Sequence, residues 1–308
     1  VRRAIPEDLL LMLEEQGVSV VGEREIQGAT QYVLARGSEE AILNVYSTGR
    51  VLEGGRASGL RDLLRDWRVS RSGAPIRRKQ AGAPLPAPNP TPRIGTDEAG
   101  KGDYLGPLVV AGVRVLGAQE DRRLREIGAR DSKLLTMERV RRLAAGIEKT
   151  LGPENLRVVA LSPREYEARR GAAGGNVNRL LAELNAGIIS ELKADVELAV
   201  VDAFGKKAEE YLEPLVPEGV RLDVRPRAED DAAVAAASVL ARARYLEEMD
   251  RLSELVGFEL PRGSTHVLEA ARRVYEEFGL EGLREIAKVH FATTERVVSM
   301  AQRSGEGG

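Results

Sequence analysis

Residues 94–107 read IGTDEAGKGDYLGP, a strand beginning at Ile94 that runs into two adjacent carboxylates, Asp97 and Glu98, and then a glycine-rich turn through Gly100, Lys101 and Gly102. Gly95 to Lys101 fits the pattern G-x-x-x-x-G-K of a phosphate-binding loop. The fit fails at Gly102, which stands where that loop needs a Ser or Thr for magnesium. It fails again on charge, because Asp97 and Glu98 would put negative groups inside a cradle built for phosphate. The same charges suit a different arrangement. Carboxylates at a strand end offer hard oxygen donors to magnesium or manganese, and the glycines beside them let main chain approach a phosphate chain closely. Neighbouring side chains on a regular strand point to opposite faces. Both acids therefore serve one site only if the strand ends or distorts at this point.

Composition narrows the chemistry further. The chain has 308 residues, no cysteine and two histidines, His266 and His290. A disulfide framework, a thiolate nucleophile, a cysteine-based zinc site and a three-histidine metal site are all excluded. Chemistry must rest on carboxylates, Lys/Arg, hydroxyls and backbone. The net charge of −2 means that nucleic-acid binding would need local basic patches. No apolar run has the length of a membrane span and the N-terminus lacks the apolar core of a signal peptide. A cytoplasmic setting and no membrane partner are expected.

Outward from the carboxylates, the chain divides. Proline recurs at every second position from Pro84 to Pro92 within AGAPLPAPNPTP. Such a segment is an extended spacer rather than helix or central strand, and Arg71, Arg77, Arg78 and Lys79 precede it. The expected division is a sheet domain over 1–70, a basic and proline-rich linker over 71–92, a catalytic domain over 93–303 and a disordered tail over 304–308. In the first part, an amphipathic stretch from Pro6 to Gln16 is followed by VSVVGERE, TQYVLARG, EAILNVYS and GRVLEG, four short antiparallel strands. A second amphipathic helix over Gly59 to Arg68 carries Arg61, Arg65 and Arg68. Helices at each end of such a sheet leave one face free, either to bind a ligand or to pack on the other domain. After the linker, strands at Leu108–Leu116, Leu156–Ser162 and Glu197–Phe204 alternate with helices, notably Asn178–Lys193 and Ala232–Leu255, as in an α/β enzyme domain.

Two later segments add acids. Asp202 ends a buried apolar strand, where it is either a functional carboxylate or the cap of a following helix. Glu229, Asp230 and Asp231 cluster at the front of a small-residue helix, and acids there are favoured by the helix dipole whatever their function. Ala233, Ala235 to Ala237 and Ser238 make that helix fit for very close packing.

Taken together, the segments resemble the type 2 ribonucleases H. The matching residues are Gly95-Thr-Asp97-Glu98-Ala-Gly100-Lys101-Gly102-Asp103-Tyr104-Leu-Gly106-Pro107, then Asp131-Ser132-Lys133, Val201-Asp202, Ala228-Glu229, the run Ala233 to Ser238, and Lys288-Val-His290-Phe291. They span nearly all of residues 93–300. The resemblance is nearer to ribonuclease HIII than to HII: the fourth acidic position falls on Glu229, with Asp230 and Asp231 as alternatives beside it, and Leu260-Pro261-Arg262-Gly263-Ser264 lacks a tyrosine-bearing motif that HII enzymes use.

The resemblance implies an α/β fold, a ribonuclease H-like mixed sheet with flanking helices, preceded by a small α+β domain similar to the TATA-binding protein that grips an RNA/DNA hybrid. It implies an endonuclease that cuts the RNA strand, leaving a 5′-phosphate and a 3′-hydroxyl, with two Mg2+ or Mn2+ ions held by Asp97, Glu98, Asp202 and Glu229. Asp97 would bridge the two ions. Gly100, Lys101 and Gly102 are the candidates to probe the ribose 2′-hydroxyl, and Lys101, Ser132 and Lys133 are candidates to meet substrate. His290 is either a core residue or a phosphate contact, and His266 an ordinary surface residue. A monomer is expected. The competing readings are an HII-like enzyme that incises single ribonucleotides in duplex DNA, and a non-catalytic hybrid-binding protein.

Overall fold

The computed structural model describes residues 4–26, 28–37, 39–46, 48, 50–55, 60–61, 63–64, 87–128, 137–262 and 267–305. Most of the proposed linker with its basic run, Arg65 and Arg68, the Asp131-Ser132-Lys133 segment, Gly263 to His266 and the last three residues lie outside this set. The chain forms two compact units, Val1–Pro84 and Leu85–Gly308.

In the first unit, helix α1 (Glu7–Glu15) precedes strands β1 (Ser19–Ile26), β2 (Ala29–Arg36), β3 (Glu39–Tyr46) and β4 (Val51–Gly54). They form one antiparallel sheet in chain order. Alternation along β2 and β3 puts Tyr32, Leu34, Ala41, Leu43 and Val45 on one face, against Leu9 and Leu13 of α1 and against Leu60 and Leu64. The opposite face is half-buried and polar at its centre. There Arg24 donates to Gln31 (2.7 Å) and Gln31 donates to Asn44 (2.8 Å), a ladder across three strands.

The second unit runs β5 (Arg93–Ala99), β6 (Leu108–Val115), α2 (Ala118–Ile127), α3 (Met137–Leu151), β7 (Leu156–Leu161), α4 (Pro163–Ala172), α5 (Val177–Leu192), β8 (Leu198–Asp202), α6 (Ala208–Leu212), β9 (Arg221–Arg225), α7 (Ala232–Val256), α8 (Val267–Ile286) and α9 (Ala292–Gly305). Its sheet has the order β7-β6-β5-β8-β9. β5 pairs antiparallel with β6 and parallel with β8, so the carboxyl ends of β5 and β8 lie together. This mixed sheet with helices on both faces is the architecture expected from the sequence. β9 was not anticipated, and α9 continues to Gly305, two residues beyond the boundary expected for the domain.

Each face of the sheet has its own core. α7 packs on one face with β6 residues Val109, Ala111 and Val113. α5 packs on the other with Ile94, Leu108, Val110, Ala199 and Val201. Local chemistry sets the helix ends: Ser162 and Glu165 form a reciprocal capping box at α4, and α7 starts on Asp231 and stops at Gly257 in the left-handed region.

Helix α7 packs backbone against backbone on β5. A Cβ placed on Gly95 would lie 2.2 Å from the Val234 nitrogen and 2.3 Å from the Ala233 carbonyl carbon. Both are backbone atoms, so neither can turn aside. Gly95→Ala is therefore expected to lower stability by about 3 kcal/mol or more, at the upper end of overpacking penalties. Thermal or denaturant unfolding of the purified variant checks it; a wild-type midpoint would show that the helix can retreat freely.

Candidate active site

Asp97 lies on the α7 face of β5, the same face as Gly95, because strand positions two apart share a face. Its carboxylate is buried and receives two hydrogen bonds, from the Ser238 hydroxyl on α7 and from the Glu98 backbone N–H (2.7 Å). Asp202, the last residue of β8, brings a second carboxylate to the same end of the sheet, where Oδ1 accepts the Ala228 N–H (2.9 Å). That bond also fixes the turn that presents Glu229. One carboxylate oxygen from each of Asp97, Asp202 and Glu229 lies within 4.8 Å of the others.

The sequence left Glu229, Asp230 and Asp231 undecided, and their contacts separate them. Asp231 caps α7 through the Ala233 N–H (2.8 Å), and its other oxygen accepts Arg93 Nε (2.6 Å). Arg93 is wholly buried between Asp231 and Asp121, and Asp121 is also bonded to Arg125 (2.6 Å). Burial pushes the Asp121 carboxyl up, but the bonds from Arg125 and Arg93 outweigh it and hold the group below the usual range. Asp231 thus anchors the helix. Asp230 faces outward and pairs with Arg225 (2.6 Å). Glu229 alone of the three joins Asp97 and Asp202.

Glu98 does not join them. β5 neither ends nor distorts at the carboxylates; it pairs regularly with β6 through Ala99. Glu98 consequently lies on the α5 face with Ile94 and Thr96, while Asp97 lies on the α7 face. The strand break that would let the neighbouring acids share one cluster is absent.

The glycine turn after β5 has two characters. Gly100 is required by the fold: its φ is +82°, and a Cβ would meet the Pro107 carbonyl oxygen at 2.2 Å and the Tyr245 ring. Gly102 is exposed, with open space where a Cβ would be. Lys101, expected to be a phosphate contact, reaches back into the protein and donates to Asn178 Oδ1 (3.0 Å) and to the Phe204 carbonyl. It ties the turn to the start of α5 and to the loop after β8. His290 is held on α4, where Glu167 accepts its backbone N–H (3.2 Å) and bonds its Nδ1 (2.6 Å). Ser132 and Lys133 lie outside the described residues. Ser238 was read from sequence only as a small packing residue, and a lone hydroxyl in an alanine run was the available signal.

Electrostatically the cluster is strained without a cation. Burial chiefly, reinforced by the charges of Asp202 and Glu229, pushes Asp97 up to about 7 against the opposing bonds from Ser238 and Glu98. Three crowded carboxylates with hard oxygen donors and no histidine or sulfur ligand among them suit Mg2+ or Mn2+. A divalent ion would both use these donors and relieve their repulsion.

Residues 94–294 match the family model described as ribonuclease HII. The chain belongs to the ribonuclease HII family. Curated relatives place it with the HIII branch. It is 37% identical over 215 residues to the ribonuclease HIII of Protochlamydia amoebophila, covering 68% of this chain and 69% of that one. It is 33% identical over 277 residues to the ribonuclease HIII of Geobacillus kaustophilus, covering 85% and 87%. Among solved structures, Bst-RNase HIII in complex with Mn2+ aligns with a TM-score of 0.62 at 30% identity, over 98% of each chain. The ribonuclease H2 of Pyrococcus horikoshii, at 22% identity and a TM-score of 0.58, shares the fold over 69% of this chain.

The raised Asp97 carboxyl gives a signed expectation for the metal-free protein. Its folded value, about 7, lies above the ordinary 3.8, so it costs stability progressively as pH rises from about 4 to 7 and in full above that. Asp97→Asn removes the penalty. In EDTA the variant should be more stable than wild type at pH 8 by an amount on the order of a few kcal/mol, read as a higher melting temperature, with the gain shrinking toward pH 4. Equal melting of the two proteins across that range would contradict the assignment of a strained carboxylate.

Proposed function

We propose that this chain is an endoribonuclease that hydrolyses the RNA strand of RNA/DNA hybrids and leaves 5′-phosphate and 3′-hydroxyl ends, acting as a single chain. The observation that carries the reading is the convergence of Asp97, Asp202 and Glu229 on one another at the carboxyl end of β5 and β8, in a member of the ribonuclease HII family. Family membership favours catalysis over passive binding. So does the cluster itself, since negative charge beside a phosphate backbone weakens binding unless a cation intervenes.

Asp97, Asp202 and Glu229 would hold the metal; Glu98 stands outside their cluster on the other face of β5, and is proposed to join the donor set through a shift of the strand end when metal is bound. Divalent metal bound there supplies charge neutralisation and an activated water for in-line attack at phosphorus, with two ions as the general family arrangement. The chain's own contribution is to fix the donors. Ser238 and the Glu98 N–H set the orientation of Asp97, and the Ala228 N–H sets that of Asp202. In the reaction an oxygen–phosphorus bond forms from water and the bond to the ribose 3′-oxygen breaks. The water proton passes to solvent and the leaving oxygen takes one up.

Selectivity for RNA needs a group that feels the 2′-hydroxyl. The backbone of Gly100, Lys101 and Gly102 is proposed for this part. The open space at Gly102, a glycine that its own fold does not demand, supports close approach of a sugar. Lys101 holds the turn, and Lys133 with Ser132 is proposed to meet phosphate. His290, engaged by Glu167, is proposed to support that neighbourhood rather than to lead it. The N-terminal sheet, with its Arg24–Gln31–Asn44 ladder, is proposed to grip the hybrid.

Three outcomes test the reading. Asp97→Asn should lower kcat on a hybrid by about three orders of magnitude, ~4 kcal/mol of barrier, while hybrid affinity stays close to wild type. Glu229→Gln should behave likewise, whereas Asp230→Asn should cleave within about threefold of wild type, as expected for a solvent-exposed ion pair. Gly102→Ala should leave the melting temperature unchanged and raise KM. Cleavage is measured with Mg2+ and Mn2+ on an all-RNA hybrid, a duplex with one ribonucleotide and double-stranded RNA. Preferential cutting at the single ribonucleotide would transfer the chain to HII-like activity, and parallel loss of binding and cleavage in Asp97→Asn would remove that residue from the chemistry.

A further inference from the structure

Lys288 lies between α8 and α9, far along the chain from the carboxylates, and is wholly buried. Its ammonium donates to the carbonyl oxygens of Asp103 and Gly106, each at 2.8 Å, and sits 5.6 Å from the centroid of the Tyr166 ring. Both carbonyls belong to the turn that carries Gly100, Lys101 and Gly102 from the end of β5 into β6. The backbone on either side of Lys288 is paired to the same turn. Gly106 N–H donates to the Ile286 carbonyl (2.8 Å), Lys288 N–H donates to the Tyr104 carbonyl (2.8 Å), and Leu105 bridges Ala287.

The segment that follows extends this support. The Tyr104 hydroxyl is bonded to Thr294 at 3.0 Å, and the Phe291 ring lies 6.0 Å from that of Tyr104. His290 pins the segment to α4 through Glu167. Residues 286–294 thus form a bed on which the turn after Gly102 rests.

A lysine in this place is costly, and an apolar chain of the same length would fill the space without the cost. Desolvation pulls the Lys288 ammonium down to about 7, against the opposing pull of Asp103 and Glu167. What the apolar chain lacks is donors for two carbonyls that turn inward from an irregular segment, where each unpaired oxygen would be penalised. Even the neutral amine keeps two N–H groups, one for each carbonyl. The bonds therefore survive loss of the charge.

We propose that Lys288 is a positioning residue for substrate: by clamping the Asp103 and Gly106 carbonyls, it sets where the Gly100–Gly102 backbone meets the ribose. This rests on the hybrid-cleaving function proposed above, and wild-type cleavage of an all-RNA hybrid is the control for that function. With cleavage established, Lys288→Met, which keeps the length and removes the donors, is compared with wild type. KM for the hybrid should rise about tenfold with kcat within about threefold, because the metal-holding carboxylates are untouched while ground-state contacts are misplaced. Amide hydrogen exchange by mass spectrometry should show protection lost over residues 100–106 and retained in β6. Unchanged KM with unchanged protection of 100–106 in the folded variant overturns the proposal, as does a fall in kcat with KM unaltered. Should Lys288→Met not fold, Thr294→Val, which withdraws the partner of the Tyr104 hydroxyl, carries the test: a smaller rise in KM supports the clamp and a wild-type KM overturns it. A wild-type protein that leaves hybrid uncut fails the functional reading instead.

Discussion

The contact of α7 with β5 at Gly95 is the constraint on which the site depends. A helix carrying Ala233, Ala235, Ala236 and Ala237 lies so close to the central strand that no Cβ fits between them. That closeness brings Ser238 within reach of Asp97, one turn further along the helix. It also brings the cap residue Asp231 onto Arg93 at the other end of the strand. The buried ion pair is not a strong source of net stability, since desolvation offsets most of such an attraction. Its value is register. With Asp231 held on Arg93 and small residues against Gly95, the helix is located along β5, and Asp97 meets its hydroxyl partner.

The sheet supplies the other half of the geometry. Antiparallel pairing on one side of β5 and parallel pairing on the other places the ends of β5 and β8 side by side. Asp202 arrives at Asp97 for that reason alone. Its second task, holding the Ala228 N–H, brings Glu229 in from a third segment. One carboxylate therefore both contributes to the cluster and builds it.

Much of this was legible in the amino-acid sequence, and the failures have physical causes. The four N-terminal strands followed from alternation, and the α/β character of the second unit from its buried apolar runs. Asp97 and Asp202 stood out as acids at strand ends. Apart from the resemblance, the choice among Glu229, Asp230 and Asp231 was not legible, because it is decided by the pairing of Asp230 with Arg225 and of Asp231 with Arg93, which form only when β5, β9 and α7 are packed. The strand break expected between Asp97 and Glu98 did not occur. The glycines act after the pair and not on it: Gly100 makes the turn, and Gly102 keeps a surface bare. Lys101 could be read from sequence only as a candidate to meet substrate, because its bonds to Asn178 and Phe204 depend on segments distant in the chain. β9 is short, with charged residues at three of its five positions, which hid its strand character.

The three converging acids come from β5, the end of β8 and the turn that precedes α7, and the helix that fixes Asp97 is synthesised after all of them. Contacts so far apart along the chain form late, after the entropy of closing long loops has been met. A nascent chain that has emerged only as far as β8 carries two of the carboxylates but neither Glu229 nor the Ser238 hydroxyl. Binding of the divalent ion is thereby coupled to completion of the domain, as for other sites that do not exist in the unfolded chain. During translation, then, the nuclease has no complete metal-holding cluster until the chain has emerged through its long helix α7.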